Sequence, residues 1–132
     1  MNIFSKYNKK VYTQLLLREK WEGRMFTINK EIQLENLGQG VSRKILSYDK
    51  NMMAVEVHFE KGAVGTPHQH PHEQIGYVVS GSIEYQEEGL ETKVLVAGDS
   101  YYVAPNKVHG IVALEPTVLL DVFTPMREDF IK

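Results

Sequence analysis

The sequence predicts an all-β domain, an antiparallel sandwich or barrel, preceded by a short N-terminal helix. Three observations lead there. From about residue 26, short runs rich in Val, Ile, Tyr and Phe recur at near-regular spacing, each closed by Gly, Pro, Asn or Asp. No 3.6-residue period follows residue 26, whereas residues 7–20 carry one. The length of 132 residues suits one domain, and a chain of this size buries roughly two-thirds of its unfolded surface without staples.

In chain order, Tyr7, Val11 and Leu15, with Tyr12 and Leu16, follow the i, i+4 rule of a helix face, and Gly23 is a natural stop. Trp21 is expected to bury that helix. Residues 1–30 carry seven Lys/Arg against two Asp/Glu, and residues 31–132 carry eight against fifteen. A basic segment on an acidic body, its own or that of a second copy in a homodimer, is the expectation. The division is therefore 1–25 as a helical extension and 26–132 as the β domain. Strands are expected in VSRKIL, MAVEVHF, YVVSGSIEYQ, TKVLVAG, SYYVAP, VHGIVAL and TVLLDVF. Turns are expected in LGQG, YDKN, EKGAVG, EEG, AGD, PNK and EP, with Gly62, Gly81 and Gly98 as turn residues.

Composition removes several function classes. There is no cysteine, so disulfides, thiolate metal sites and thiol catalysis are excluded. A net charge of −2 with scattered basic residues argues against nucleic acid as a partner. No apolar run reaches membrane-spanning length or resembles a secretory signal, so a soluble cytoplasmic protein is expected.

Three of the five histidines fall in GTPHQHPHEQ, residues 65–74. On an extended strand, His68 and His70 share a face, and Gln74 has the same parity. His109, two hairpins later, can fold back opposite them. Three imidazoles suit Zn, Cu, Fe or Ni, and an amide oxygen completes such a shell. An H-x-H pair alone also occurs on solvated strands. His58 alternates with Val55, Val57 and Phe59 and is expected to face outward with Glu56 and Glu60. His72 follows Pro71 and is read as a neighbour of the site or as exposed. In TVLLDVF, Asp121 is the one charge within an apolar strand, which is costly unless it is partnered. From the residues alone, an ion pair with Arg127 beyond Pro125 and a catalytic carboxylate are equally open. Tyr77, Tyr85, Tyr101 and Tyr102 are read as core or rim.

The stretch Gly62-x5-His68-x-His70-x3-Gln74-x6-Gly81 resembles the first cupin motif, and Gly98-Asp99 through Pro105, Asn106 and His109 resembles the second. The resemblance implies a small cupin double-stranded β-helix barrel, jelly-roll-like, with one divalent metal ion (Ni, Zn, Fe or Mn) on His68, His70, Gln74 and His109. The chain departs from the pattern at Gln74, where Glu is usual, at Ala104 for Pro, at Asn106 for Gly and at Ala113 for Asn. GVSRKIL, MAVEVHFEKGAVGTPHQHPHEQ and LLDVFTPMREDF are similar to the KdgF family of pectin-degradation cupins over about residues 35–131; residues 1–25 have no counterpart. That resemblance implies ring opening and ketonisation of a 4,5-unsaturated uronate, a small sugar acid, with Asp121, Phe123 and Arg127 as catalytic residues. Asp121 would move the proton, Phe123 would pack on the sugar and Arg127 would fix its carboxylate. Independently, four neutral ligands leave a divalent ion its full +2 charge, which favours Lewis-acid over oxygen chemistry. A cupin dioxygenase and a non-catalytic sugar-binding cupin are the rival readings.

Overall fold

A computed structural model describes residues 23–131. The helix expected over residues 7–20, and Trp21, lie outside the described residues. Ten strands run β1 Glu35–Gly38, β2 Val41–Asp49, β3 Met52–Phe59, β4 Val64–His68, β5 Glu73–Ser80, β6 Ser82–Glu87, β7 Lys93–Val96, β8 Ser100–Val103, β9 His109–Ala113 and β10 Thr117–Thr124. All pairings are antiparallel. One sheet has the order β1-β2-β3-β10-β5-β8 and the other β4-β9-β6-β7. Because β5 and β6 are consecutive yet lie in different sheets, the chain crosses the barrel at Gly81. Gly81 sits at φ +86°, and a Cβ there would lie 2.4 Å from the Pro116 carbonyl oxygen, so the crossing requires glycine.

The two sheets face each other across alternating inward side chains. On β10 these are Thr117, Leu119, Asp121 and Phe123, all buried, while the residues between them are half-buried. Leu119 belongs to a cluster with Phe59, Val78, Ile83, Tyr85, Val103 and Ile111 that fills one end of the barrel. Phe123 belongs to a second cluster with Met53 and Val55, capped by Met126 and Phe130. Asp121 is the inward residue between the two, which gives the barrel a polar waist.

Three boundaries differ from the sequence reading. LGQG is not merely a turn: Glu35–Gly38 pairs with β2, and the reversal at Gln39 and Gly40 uses left-handed backbone, φ 52° and 81°. YVVSGSIEYQ is two strands, broken at Gly81. EKGAVG was expected as turn material, but Val64–His68 forms β4 and pairs with β9, because its neighbours supply the ladder that its small residues do not advertise. Asn106 takes φ 62°, a conformation that asparagine tolerates better than most residues, so its replacement of the usual glycine leaves the turn intact.

Candidate functional site

The histidines converge by a route the strand parity did not foresee. His68 ends β4, but His70 lies beyond it in the connection to β5, and Gln74 sits on β5 in the opposite sheet. The expectation that His68 and His70 share one strand is therefore corrected. Pro71 follows His70, and no strand runs through 69–72. His68 instead pairs directly with His109 across β4 and β9. The three rings still gather, with centroids 4.6 Å apart for His68–His109, 5.0 Å for His70–His109 and 5.4 Å for His68–His70. One ligand atom from each lies within 4.8 Å of the others.

Their tautomers follow from their partners. The Nδ1 atoms of His68, His70 and His109 face the backbone carbonyls of Thr66 (2.9 Å), His72 (3.1 Å) and Lys107 (2.8 Å). A carbonyl only accepts, so each Nδ1 carries the proton and each neutral ring keeps its lone pair on Nε2. Burial holds His70 and His109 below the usual histidine range, which favours the neutral form. His109 Nε2 is buried without a partner. His70 Nε2 lies 3.0 Å from Gln74 Oε1, so two acceptors face each other with no proton between them. Buried acceptors that lack a donor are expensive. A divalent cation satisfies all of them, so the residues fit one: three imidazole nitrogens and an amide oxygen could hold it.

Asp121 and its neighbours flank this cluster. Asp121 is buried, which pushes its carboxyl up to about 6; the Gln74 amide, the Tyr101 hydroxyl and the Arg127 charge oppose the rise. Tyr101 donates to Asp121 Oδ1 at 3.3 Å. The ion pair considered between Asp121 and Arg127 is not how Arg127 is held. Its guanidinium forks onto Asp129, Nε to Oδ1 at 3.0 Å and Nη2 to Oδ2 at 2.8 Å, and lies over Phe130 at 4.3 Å and Phe123 at 5.1 Å. Its charge is nevertheless felt at His70, His109 and Asp121. Phe123 is 3% exposed and meets His70 edge-on at 5.6 Å. His72 lies beside the cluster, its ring 5.5 Å from that of His70. Its Nε2 donates to the Met126 carbonyl at 3.2 Å, which ties down the segment that carries Arg127.

His58 faces outward as expected and meets Glu56 at 2.8 Å. Tyr85 and Tyr101 stack inside the barrel at 4.4 Å, whereas Tyr77 and Tyr102 are exposed. The sequence reading missed three contributors, Tyr101 as the partner of Asp121, Asp129 as the clamp on Arg127, and Gly76. A lone glycine inside β5 was the available signal, since strand glycines often mark a close approach.

The cupin-domain family pattern matches residues 55–123, which span β3 to β10 and so contain every histidine of the cluster. The chain is also 47% identical over 110 residues to the pectin degradation protein KdgF of Dickeya dadantii, covering 82% of this chain and 99% of that protein. This chain is a cupin of the KdgF family. Among solved structures, this cupin superposes on KdgF from Halomonas sp. with a TM-score of 0.77 at 45% identity, covering 80% of this chain and 99% of that one. It matches an RmlC-like cupin from Shewanella frigidimarina with a TM-score of 0.80 at 38% identity, covering 84% and 100%. Among the described residues, no helix is long and apolar enough to cross a membrane.

Proposed function

We propose that this cupin is a metal-dependent enzyme of pectin or alginate breakdown that opens and ketonises 4,5-unsaturated uronate monomers to linear 5-keto uronates. The observation that carries the reading is the convergence of four lone-pair donors, His68, His70, His109 and Gln74, beside a buried carboxylate and a clamped guanidinium. The near full-length similarity to a pectin degradation protein supports the substrate class.

The four donors would hold one divalent ion, which when bound supplies a positive centre for an anionic substrate oxygen. Arg127, held rigid by Asp129 and two aromatic rings, binds the substrate carboxylate and orients the ring. Asp121 takes the proton of the anomeric hydroxyl. The C1–O5 bond breaks as the C1 carbonyl forms, and the ring oxygen leaves as an enolate on C5. The Asp121 carboxyl then returns its proton to C4, and the C4–C5 double bond becomes a single bond as the C5 ketone forms. The atoms balance without an oxidant. A carboxyl near 6 suits this cycle, because it can both take and return a proton close to neutrality. Phe123 walls the site and keeps water out.

The test follows the ultraviolet absorbance of the unsaturated uronate against a no-enzyme control. Asp121→Asn is expected to lose activity by roughly 10²–10⁴-fold. Wild-type activity equal to the control, with tight uronate binding, would replace this reading by a binding module. Oxygen uptake would replace it by a dioxygenase.

A further inference from the structure

Gly76 on β5 is the register partner of both Tyr101 on β8 and Asp121 on β10, so the three form one row across three adjacent strands. The middle member has no side chain. A Cβ at Gly76 would lie 2.1 Å from Tyr101 Cζ and 2.4 Å from its hydroxyl. The phenol therefore lies over the glycine and reaches Asp121 two strands away. Gln74, two residues before Gly76 on the same inward face, is the diagonal neighbour of Asp121. Its amide oxygen is 3.0 Å from His70 Nε2, which leaves the NH₂ to face away from the imidazoles, and Gln74 favours the charged form of the Asp121 carboxyl.

An amide can face either way, and its partners decide which. An ionised carboxylate only accepts, so beside Asp121 the Gln74 NH₂ has one satisfied orientation, and its oxygen is left for the imidazoles. We infer that Asp121, held by the Tyr101 phenol across Gly76, has a positioning role besides its proton transfer: it fixes the orientation of the Gln74 amide and so presents its oxygen as a ligand. This also gives a reason for glutamine where a glutamate is usual in cupins. A carboxylate at 74 would face that of Asp121, and like charges that close repel strongly in a buried site. In Asp121→Asn the phenol claims the one acceptor, the remaining NH₂ faces Gln74, and Gln74 turns its oxygen away from the histidines.

The inference rests on the metal reading above, and the experiment separates the two. Co²⁺ is titrated calorimetrically, and by its visible absorption, into metal-free full-length wild type, Asp121→Asn, Gln74→Ala and the double variant. Asp121→Asn is expected to weaken Co²⁺ binding about 10–100-fold and to shift the spectrum toward that of Gln74→Ala. In the Gln74→Ala background the same change is expected to cost less than about twofold, since Asp121 acts through Gln74. Tyr101→Phe should show a smaller loss that also vanishes without Gln74, and it carries the test if Asp121→Asn does not fold. Equal loss in both backgrounds means that Asp121 acts by charge alone and overturns the positioning role while leaving the metal reading standing. No Co²⁺ uptake by wild type overturns both.

Discussion

Gly76→Ala adds one methyl group and is expected to be among the most damaging small changes in the barrel. The added Cβ would sit 2.1 Å from Tyr101 Cζ, against an ordinary carbon–carbon contact of roughly 3.5–4.0 Å. β5 is inside a six-stranded sheet and cannot retreat, so the phenol must move. Overpacking of this kind costs roughly 1–3 kcal/mol. Displacing the ring also breaks the hydrogen bond to the Asp121 carboxylate, worth about 1.5–3 kcal/mol for a charged partner. Alanine returns about 0.5–1 kcal/mol by reducing the freedom of the unfolded chain. The net loss is about 2–5 kcal/mol, and for a domain of this size each kcal/mol lowers Tm by about 4 °C. Thermal and urea denaturation of metal-free protein measure it. Tyr101→Phe, which keeps the ring and removes only the hydroxyl, should lose only the hydrogen-bond part. In a Tyr101→Ala background, Gly76→Ala should become nearly neutral. A Gly76→Ala chain that melts within 1–2 °C of wild type, or an equal penalty in both backgrounds, would refute the packing of the phenol over the glycine.

Elemental analysis should find up to one divalent ion per wild-type chain and nearly none in His68→Ala or His109→Ala; unchanged content would put the metal elsewhere. Arg127→Ala should raise KM for the uronate more than it lowers kcat, with Asp129→Asn a weaker version of the same effect, because it loosens the fork at 2.8–3.0 Å. The Arg127 hydrogen bonds hold the Asp129 carboxyl below the usual carboxylate range. Its contribution to stability is therefore full above about pH 4, the ordinary carboxylate value, and is lost as pH falls through the depressed one. The Tm gap between wild type and Asp129→Asn should narrow across that window. Deleting residues 1–22, which leaves the Arg24–Tyr48 bridge in place, should shift a homodimer toward monomer in sedimentation; an unchanged assembly would refute docking of this basic segment on a second copy.

The linear sequence determined what depends on spacing alone. Period-2 runs bounded by glycine, proline and asparagine specify strands because side chains alternate across a pleated chain, and the residue types at 68, 70, 74 and 109 limit the site to neutral nitrogen and oxygen donors. The absence of cysteine was equally decisive. Asp121 stood out because a charge amid Leu119, Leu120, Val122 and Phe123 needs a partner wherever that strand is buried. Which partner it takes was not legible. Arg127 lies six residues away yet turns to Asp129, while Tyr101, twenty residues away, reaches across a glycine. His68 and His70 looked like neighbours on one strand, but the chain leaves β4 between them, and His109 is the true cross-strand partner of His68. The tautomers of the three rings depend on how the loops turn each ring onto a carbonyl two residues away, and the buried lone pair that His109 leaves unpartnered and the facing of the Gln74 amide depend on which strands close over them. Spacing fixes which face a side chain occupies within its own strand. Which strands lie beside it, and so which donor meets which acceptor, is set only when the two sheets close over a shared core.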